Sequence, residues 1–254
     1  MLTITLMNQK GGAGKSTVAR ALLSAGDSNG LRCAFIDADQ TGNLARWAMR
    51  AAEGGLWSDA IDAYQTIDAE EVAEIVDEIA TENNIDLLVI DTAGDASRDH
   101  DVFAVVADLI LCPIMLSRSD IETARGTANF LYRMKDRAED PSQMPAFRIM
   151  LNRVASRPSK GDREIIDALQ ATKLVGPNEN TGLEVMQILG AVLQEREAYK
   201  TMDREGLLGH VLARHNETAP GFAKHPKHLT NAITEADKLL AACFAVAGGG
   251  HDDR

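Results

Sequence analysis

Short apolar runs recur along the chain, separated by stretches with helical spacing. Strand-like runs cover Thr3–Met7, Cys33–Asp37, Leu87–Asp91, Leu109–Pro113, Arg148–Leu151 and Ile188–Leu193. The intervening patterns predict helices near Lys15–Ser28, Ala69–Thr81, Ile121–Ala138 and Asp162–Gln170, and a last one from Thr230 to about Val246. Strands alternating with helices are the signature of parallel strands joined by crossover helices. Around residues 69–81, Val72, Ile75, Val76 and Ile79 form one apolar stripe, with Glu71, Glu74, Asp77 and Glu78 on the water-facing side. In the last helix Leu229, Ile233, Ala236, Leu240 and Cys243 recur at alternating spacings of four and three. The expectation is an α/β fold: a doubly wound, mostly parallel sheet flanked by helices, forming one domain over residues 1–247. "KLVGPNENTGLE" at 173–184 reads as a surface loop, and residues 248–254 read as a flexible tail.

Composition narrows the class without changing this picture. With 45% hydrophobic and 25% charged residues, the chain sits at globular averages. Its longest apolar runs, such as Leu109 to Leu116, fall far short of the ~20 residues that span a bilayer. The opening "MLTITLMNQKGG" has no charged leader and no cleavage site before its glycines, so it reads as a first strand of a cytoplasmic protein. Cys33, Cys112 and Cys243 lie far apart at apolar positions with no C-x-x-C pair, the pattern of buried reduced thiols and not of a zinc or iron–sulfur site. The net charge of -12 is uneven: residues 51–101 carry fifteen acidic side chains against Arg98, which leaves the rest of the chain slightly basic. An acidic total argues against an indiscriminate nucleic-acid binder, yet it permits a local basic face, for which Arg148, Arg153, Arg157, Lys160 and Arg163 are one candidate.

The candidate chemistry is concentrated in "MNQKGGAGKST", Met7 to Thr17. A phosphate-binding P-loop reads G-x-x-x-x-G-K-[ST]. Here Gln9 stands where the first glycine belongs, and Lys10 precedes Lys15 by five residues. Backbone N–H groups of Gly11, Gly12, Ala13 and Gly14, followed by a helix N-terminus, suit an anion. Lys15 would reach the β- and γ-phosphates, and the Ser16 hydroxyl would ligate Mg²⁺. Two more acidic elements end strands: Asp37 and Asp39 in "FIDADQTGN", and Asp91 in "LLVIDTAGD". Taken singly, each aspartate is as readily a helix cap or a loop residue. Three of them on successive strands behind a P-loop define a nucleotide hydrolase site.

These motifs resemble the deviant Walker A box of the ParA/MinD ATPases. "KGGAGKST" matches that box, "DADQTGN" resembles the family's D-x-D-P-Q-G-N segment, and "IDTAG" its switch II segment. The similarity runs over roughly residues 1–215, and "DADQTGNLARW", "DTAGDAS" and "REAYKTM" look closest to the partition-like virulence C ATPases of T-DNA transfer. The resemblance implies a homodimer with ATP sandwiched between protomers, in which Lys10 reaches the partner's bound phosphates. It also implies that Asp39 positions the hydrolytic water, Asp37 and Asp91 support Mg²⁺, Thr17 bonds the α-phosphate and Asn152 contacts adenine. One departure stands out: Gln40 replaces the family's proline and Thr41 the following glutamine, in the segment that would act as switch I.

The resemblance further implies a slow switch, stimulated by a small adaptor protein, whose dimer holds a surface. The C-terminal helix carries Lys238 as its one basic residue after Thr230, too few for the Lys/Arg-rich amphipathic membrane anchor of the MinD branch, so no membrane partner is expected. Non-specific DNA is the better candidate, with nucleoid association as its consequence. Arg196, Lys200 and Arg204, spaced four apart, are the first candidates, joined by Arg214, Lys224 and Lys227; intrahelical pairing with Glu195, Glu197 and Asp203 competes for the first set. His210, His215, His225 and His228 read as surface residues with a metal-ligand pair as the lesser alternative. Trp47 and Trp57 read as packing residues. A DNA-positioning ATPase, serving plasmid partition or conjugative or T-DNA-type transfer, is therefore the leading function. An ATPase that positions a protein cluster, and a P-loop ligase or reductase, are the alternatives.

Overall fold

The computed structural model describes residues 1–94, 100–171, 187–218 and 226–248. They form one seven-stranded sheet of β1 (Leu2–Leu6), β2 (Cys33–Ala38), β3 (Ile61–Gln65), β4 (Leu87–Thr92), β5 (Leu109–Ile114), β6 (Ala146–Val154) and β7 (Ile188–Gln194). Every pairing is parallel, in the order β3-β2-β4-β1-β5-β6-β7. The connecting helices are α1 (Lys15–Ser28), α2 (Asn43–Glu53), α3 (Ala69–Glu82), α4 (His100–Val105), α5 (Arg118–Arg137), α6 (Lys160–Ala171), α7 (Glu197–Glu205), α8 (Leu208–Thr218) and α9 (Lys227–Gly248). The doubly wound, parallel α/β expectation is met.

Helices on both faces explain the composition of the strands. All residues of β1, β2, β4 and β5 are buried, as parallel strands covered on both sides must be. The L-T-I-T-L of β1 resembles a half-exposed alternation, but Thr5 is buried and its hydroxyl donates to the Phe103 carbonyl at 2.9 Å. One face packs α1, α2, α7, α8 and α9 through Val18, Leu22, Trp47, Met202 and Leu240, among others. The other packs α3 and α4 through Val72, Ile79 and Phe103, and a third cluster under α5 and α6 includes Ala124 and Leu169. Each fully buried side chain of this size contributes about 1.5–3 kcal/mol.

The expected α1 and the apolar stripes of α3 and α9 are present, with Glu71, Glu74, Asp77 and Glu78 exposed. Four elements were not anticipated: β3, α2, α4 and α8. β3 is an edge strand in which Ile61 alone is buried and the other residues are partly or fully exposed, so its apolar signal is thin. The N-cap position of α2 is Gly42, in the left-handed region at φ 58°, and it offers no capping side chain. The cap comes from Asp37 instead, whose Oδ2 accepts from Leu44 N and Ala45 N at 2.8 Å each. The expected 173–184 loop and the tail beyond 248 lie outside the described residues. No helix among the described residues is long and apolar enough to cross a membrane.

Candidate nucleotide site

Because all strands run in parallel, the loops after β1, β2 and β4 open at one edge of the sheet, where α/β proteins place ligands. Register aligns the acids there: Asp91 of β4 stands opposite Leu6 of β1 on one side and Asp37 of β2 on the other. At the end of β4, Thr92 Oγ1 donates to Leu6 O at 2.8 Å. Gly94 then lies so close to the loop after β1 that a Cβ on it would sit 3.1 Å from Gly11 N.

The glycine loop between β1 and α1 is built for close approach. Gly12 and Gly14 have φ of 80° and 93°, values costly for other residues. A Cβ on Gly14 would fall 1.9 Å from Asn152 Nδ2. Asn152 is buried at the end of β6, donates from Nδ2 to Ala13 O at 3.2 Å, and accepts from Arg153 N through Oδ1 at 2.9 Å. In this state its amide braces the loop that it faces. Arg153 itself sits at φ 52°, a strained left-handed value at a register shift through which β6 continues to Val154.

Both lysines converge on Asn8, which the sequence reading did not single out. Lys15 Nζ donates to Asn8 O at 3.1 Å, and Lys10 N donates to Asn8 Oδ1 at 2.8 Å. Asn8 Nδ2 in turn donates to Pro113 O at 2.6 Å, fixing the loop to β5. The Lys10 ammonium lies 2.9 Å from Ser119 Oγ and 3.1 Å from Asp120 Oδ1, at the start of α5. A buried Asn amide that satisfies a loop is a non-local feature, and no sequence spacing signals it.

The three acids differ in their surroundings. Asp37 is buried and spends its carboxylate on α2 and on Asp39 N; burial raises its pKa while those backbone donors oppose the rise. Asp39 is partly exposed, and its Oδ1 accepts both Thr41 N at 2.8 Å and Thr41 Oγ1 at 2.7 Å. Asp91 is buried with neither carboxylate oxygen hydrogen-bonded. Burial pushes it up to about 7, against the Ser16 hydroxyl and the Lys15 ammonium that pull it down. An enclosed carboxylate whose neighbouring donors form no well-made hydrogen bond is costly unless a ligand completes it. Asp91, Ser16, Lys15 and the left-handed glycines therefore fit a magnesium–nucleotide group.

The candidate DNA residues lie elsewhere and are mostly engaged. Arg196 precedes α7 and donates from Nε to Glu235 Oε1 of α9 at 2.8 Å. Lys200 and Arg204 are exposed and both approach Glu197, at 3.1 and 3.6 Å. Arg214 is exposed and donates to Gly54 O. Lys227 is exposed at the start of α9, and Lys224 lies outside the described residues, as does His225. His210 faces Asp27 at 3.1 Å, and no group of three metal-capable side chains occurs among the described residues. Trp47 is buried, donates to Met202 O at 2.7 Å and stacks edge-on against Trp57. Arg20 of α1 lies over the Trp47 ring and pairs with Asp203 of α7, so α1, α2 and α7 are tied together.

Fold and loop together define a P-loop protein of the deviant ParA/MinD architecture. Among solved structures, the chain is similar to MinD in the MinC:MinD cell division complex of Aquifex aeolicus (TM-score 0.63, 18% identity, 95% of this chain and 96% of that one). It is likewise similar to a plasmid partition protein of Borrelia burgdorferi B31 bound to AMPPNP (TM-score 0.62, 13% identity, 94% and 98% covered). The family model described as VirC1 protein matches residues 1–246, and the chain belongs to that family. It is 26% identical to the virC1 protein of Rhizobium rhizogenes over 92% of this chain and 94% of that protein, and 24% identical to that of Rhizobium radiobacter over the same shares.

Proposed function

We propose that the chain is an ATP-dependent dimerising switch ATPase that binds DNA non-specifically and serves DNA positioning, as in plasmid partition or T-DNA-type transfer. The observation that carries this reading is the pairing of a glycine-rich phosphate loop, with Lys15 and Ser16 in place, and the buried carboxylate of Asp91, which lacks a well-formed hydrogen bond. Family membership and the fold shared with partition proteins support it.

Each residue then has a physical task. Backbone N–H groups of Gly11 to Gly14 and the α1 N-terminus hold phosphate oxygens, and Lys15 turns from Asn8 O to neutralise them. Ser16 and Asp91 hold Mg²⁺, with Asp37 setting the loop beside them through α2. The metal supplies charge neutralisation at the phosphates when bound. Asp39 orients water from its partly exposed position, and Thr17 holds the α-phosphate side. Asn152, already against the loop, borders the adenine side. Lys10 serves a second protomer, a cation supplied in trans in the manner of an arginine finger. For DNA, the exposed Lys200, Arg204, Arg214 and Lys227 are the groups able to meet phosphates, and a small adaptor is expected to stimulate turnover. The reductase alternative loses support because Cys33, Cys112 and Cys243 are all buried.

The test is turnover of Mg-ATP with and without duplex DNA, beside DNA binding over a salt series. ATP-dependent DNA binding that weakens steeply with salt is expected. Turnover without any dimer or DNA response would overturn the positioning role.

A further inference from the structure

We infer that Arg20 is a positioning residue for the α7 surface: from its buried place in α1 it takes up the charge of Asp203 and so leaves Lys200 and Arg204 to meet DNA phosphates. This inference rests on the proposed DNA role of those two cations. The Arg20 side chain is 8% exposed, and its Nη1 pairs with Oδ1 of Asp203 in α7, a side chain that is 53% exposed. Nη2 donates to Asn43 O at the start of α2 at 3.1 Å, and the guanidinium carbon lies 5.5 Å from the centre of the Trp47 ring. Trp47 Nε1 donates to Met202 O at 2.7 Å and Arg50 Nη2 to Asp203 O at 3.3 Å, so the backbone of α7 is fixed where the ion pair forms. Burial lowers the Arg20 pKa, and Asp203 is foremost among the acids that oppose the fall.

The consequence follows from position and burial. Along α7, Asp203 is three residues from Lys200 and adjacent to Arg204, and helical spacing puts it within reach of the lysine. Yet both cations turn to Glu197, at 3.1 and 3.6 Å, while Asp203 turns to Arg20. The exposed pairs with Glu197 are readily exchanged for phosphate, because water replaces each partner. The pair with Arg20 is not, since an enclosed guanidinium that loses its carboxylate has no water to take its place. Asp203 is therefore held out of competition with DNA. Without Arg20 it becomes an unpaired surface carboxylate that binds Lys200 or Arg204 and repels phosphate.

The experiment measures affinity for a fluorescein-labelled duplex in Mg-AMPPNP at fixed salt, by anisotropy, for the unaltered full chain, Arg20→Gln, Asp203→Asn and the double variant. Arg20→Gln keeps a donor for Asn43 O and is expected to weaken DNA binding about fivefold, although Arg20 itself is too enclosed to touch the duplex. Asp203→Asn alone is expected not to weaken it. In the Asp203→Asn background the Arg20 change is expected to alter affinity less than about twofold. A general loss of positive charge or of fold would weaken binding equally in both backgrounds, and that result overturns the inference, as does an unchanged affinity in Arg20→Gln. Should Arg20→Gln lower the melting temperature, Arg20→Met fills the space with an apolar chain and is expected to give the same two ratios. A chain whose DNA binding responds to Lys200→Ala and Arg204→Ala but not to Arg20→Gln loses this inference alone; a chain that binds no DNA loses the proposed function together with it.

Discussion

The loop edge of the sheet and the α7–α9 surface treat charge in opposite ways. At α7, Arg196 is spent on Glu235, while Lys200 and Arg204 share Glu197. At the loop edge, Asp91 is buried with neither oxygen in a well-formed hydrogen bond, and Lys10 and Lys15 rest on acceptors that a phosphate would outbid. A fold that pairs its charges in one region and leaves them incomplete in another marks the second as the place where a ligand belongs. The same contrast separates Arg196 from Lys200 and Arg204: the first is largely enclosed with its partner and serves the fold, and the others are exposed and remain available.

The contrast is broken most strongly at Lys15. Lys15→Ala is expected to weaken ATP binding at least about a hundredfold, read by calorimetry, because a charged hydrogen-bond partner of the phosphates is lost. Retained tight binding would remove the P-loop assignment. At α7, the double change Lys200→Ala and Arg204→Ala should lower DNA affinity about tenfold and reduce the salt slope by about 2, with stability nearly unchanged. Arg196→Ala should do the reverse: it costs about 1 kcal/mol in chemical denaturation and leaves the salt slope alone. Equal behaviour of the two sets would erase the distinction.

Thr41 offers a finer test. Its amide and hydroxyl both donate to Asp39 Oδ1, so Thr41→Ala frees part of the carboxylate proposed to orient water. ATP turnover should rise about threefold, the effect of one hydrogen bond of ordinary strength. A fall would show that Thr41 holds Asp39 in its working orientation. The smallest effect concerns stability. The folded chain holds the Asp91 proton to about pH 7, against 3.8 in the unfolded chain. The protonated acid therefore favours the folded state below pH 3.8, and that advantage is lost as pH rises through about 7. Nucleotide-free Asp91→Asn should melt a few degrees higher than the parent at pH 8 and lack this part of the pH slope.

What could be read from the sequence follows the range of each interaction. β1, α1 and the glycine loop are legible because strand, turn and helix are contiguous and each carries its own signal. Asp91 is legible as the acid ending an apolar run. Asp37 is legible as an acid, but its capping of α2 from seven residues away is not, and α2 went unread because its own N-terminus is Gly42. β3 went unread because an edge strand needs few apolar residues. Asn8 and Asp120 were invisible for the same reason: the first acts through Pro113 and the second through Lys10, each over a hundred residues away in the chain. Arg196 and Lys200 look alike in sequence, and the presence of Glu235 beside one of them decides their difference.

The central claim is that the second lysine makes assembly depend on the nucleotide. The most direct measurement is the solution mass of Asp39→Ala by light scattering, in Mg-ATP and in Mg-ADP, since slowed hydrolysis preserves the ATP state. The account predicts a dimer in Mg-ATP and a monomer in Mg-ADP. The same mass in both would contradict it.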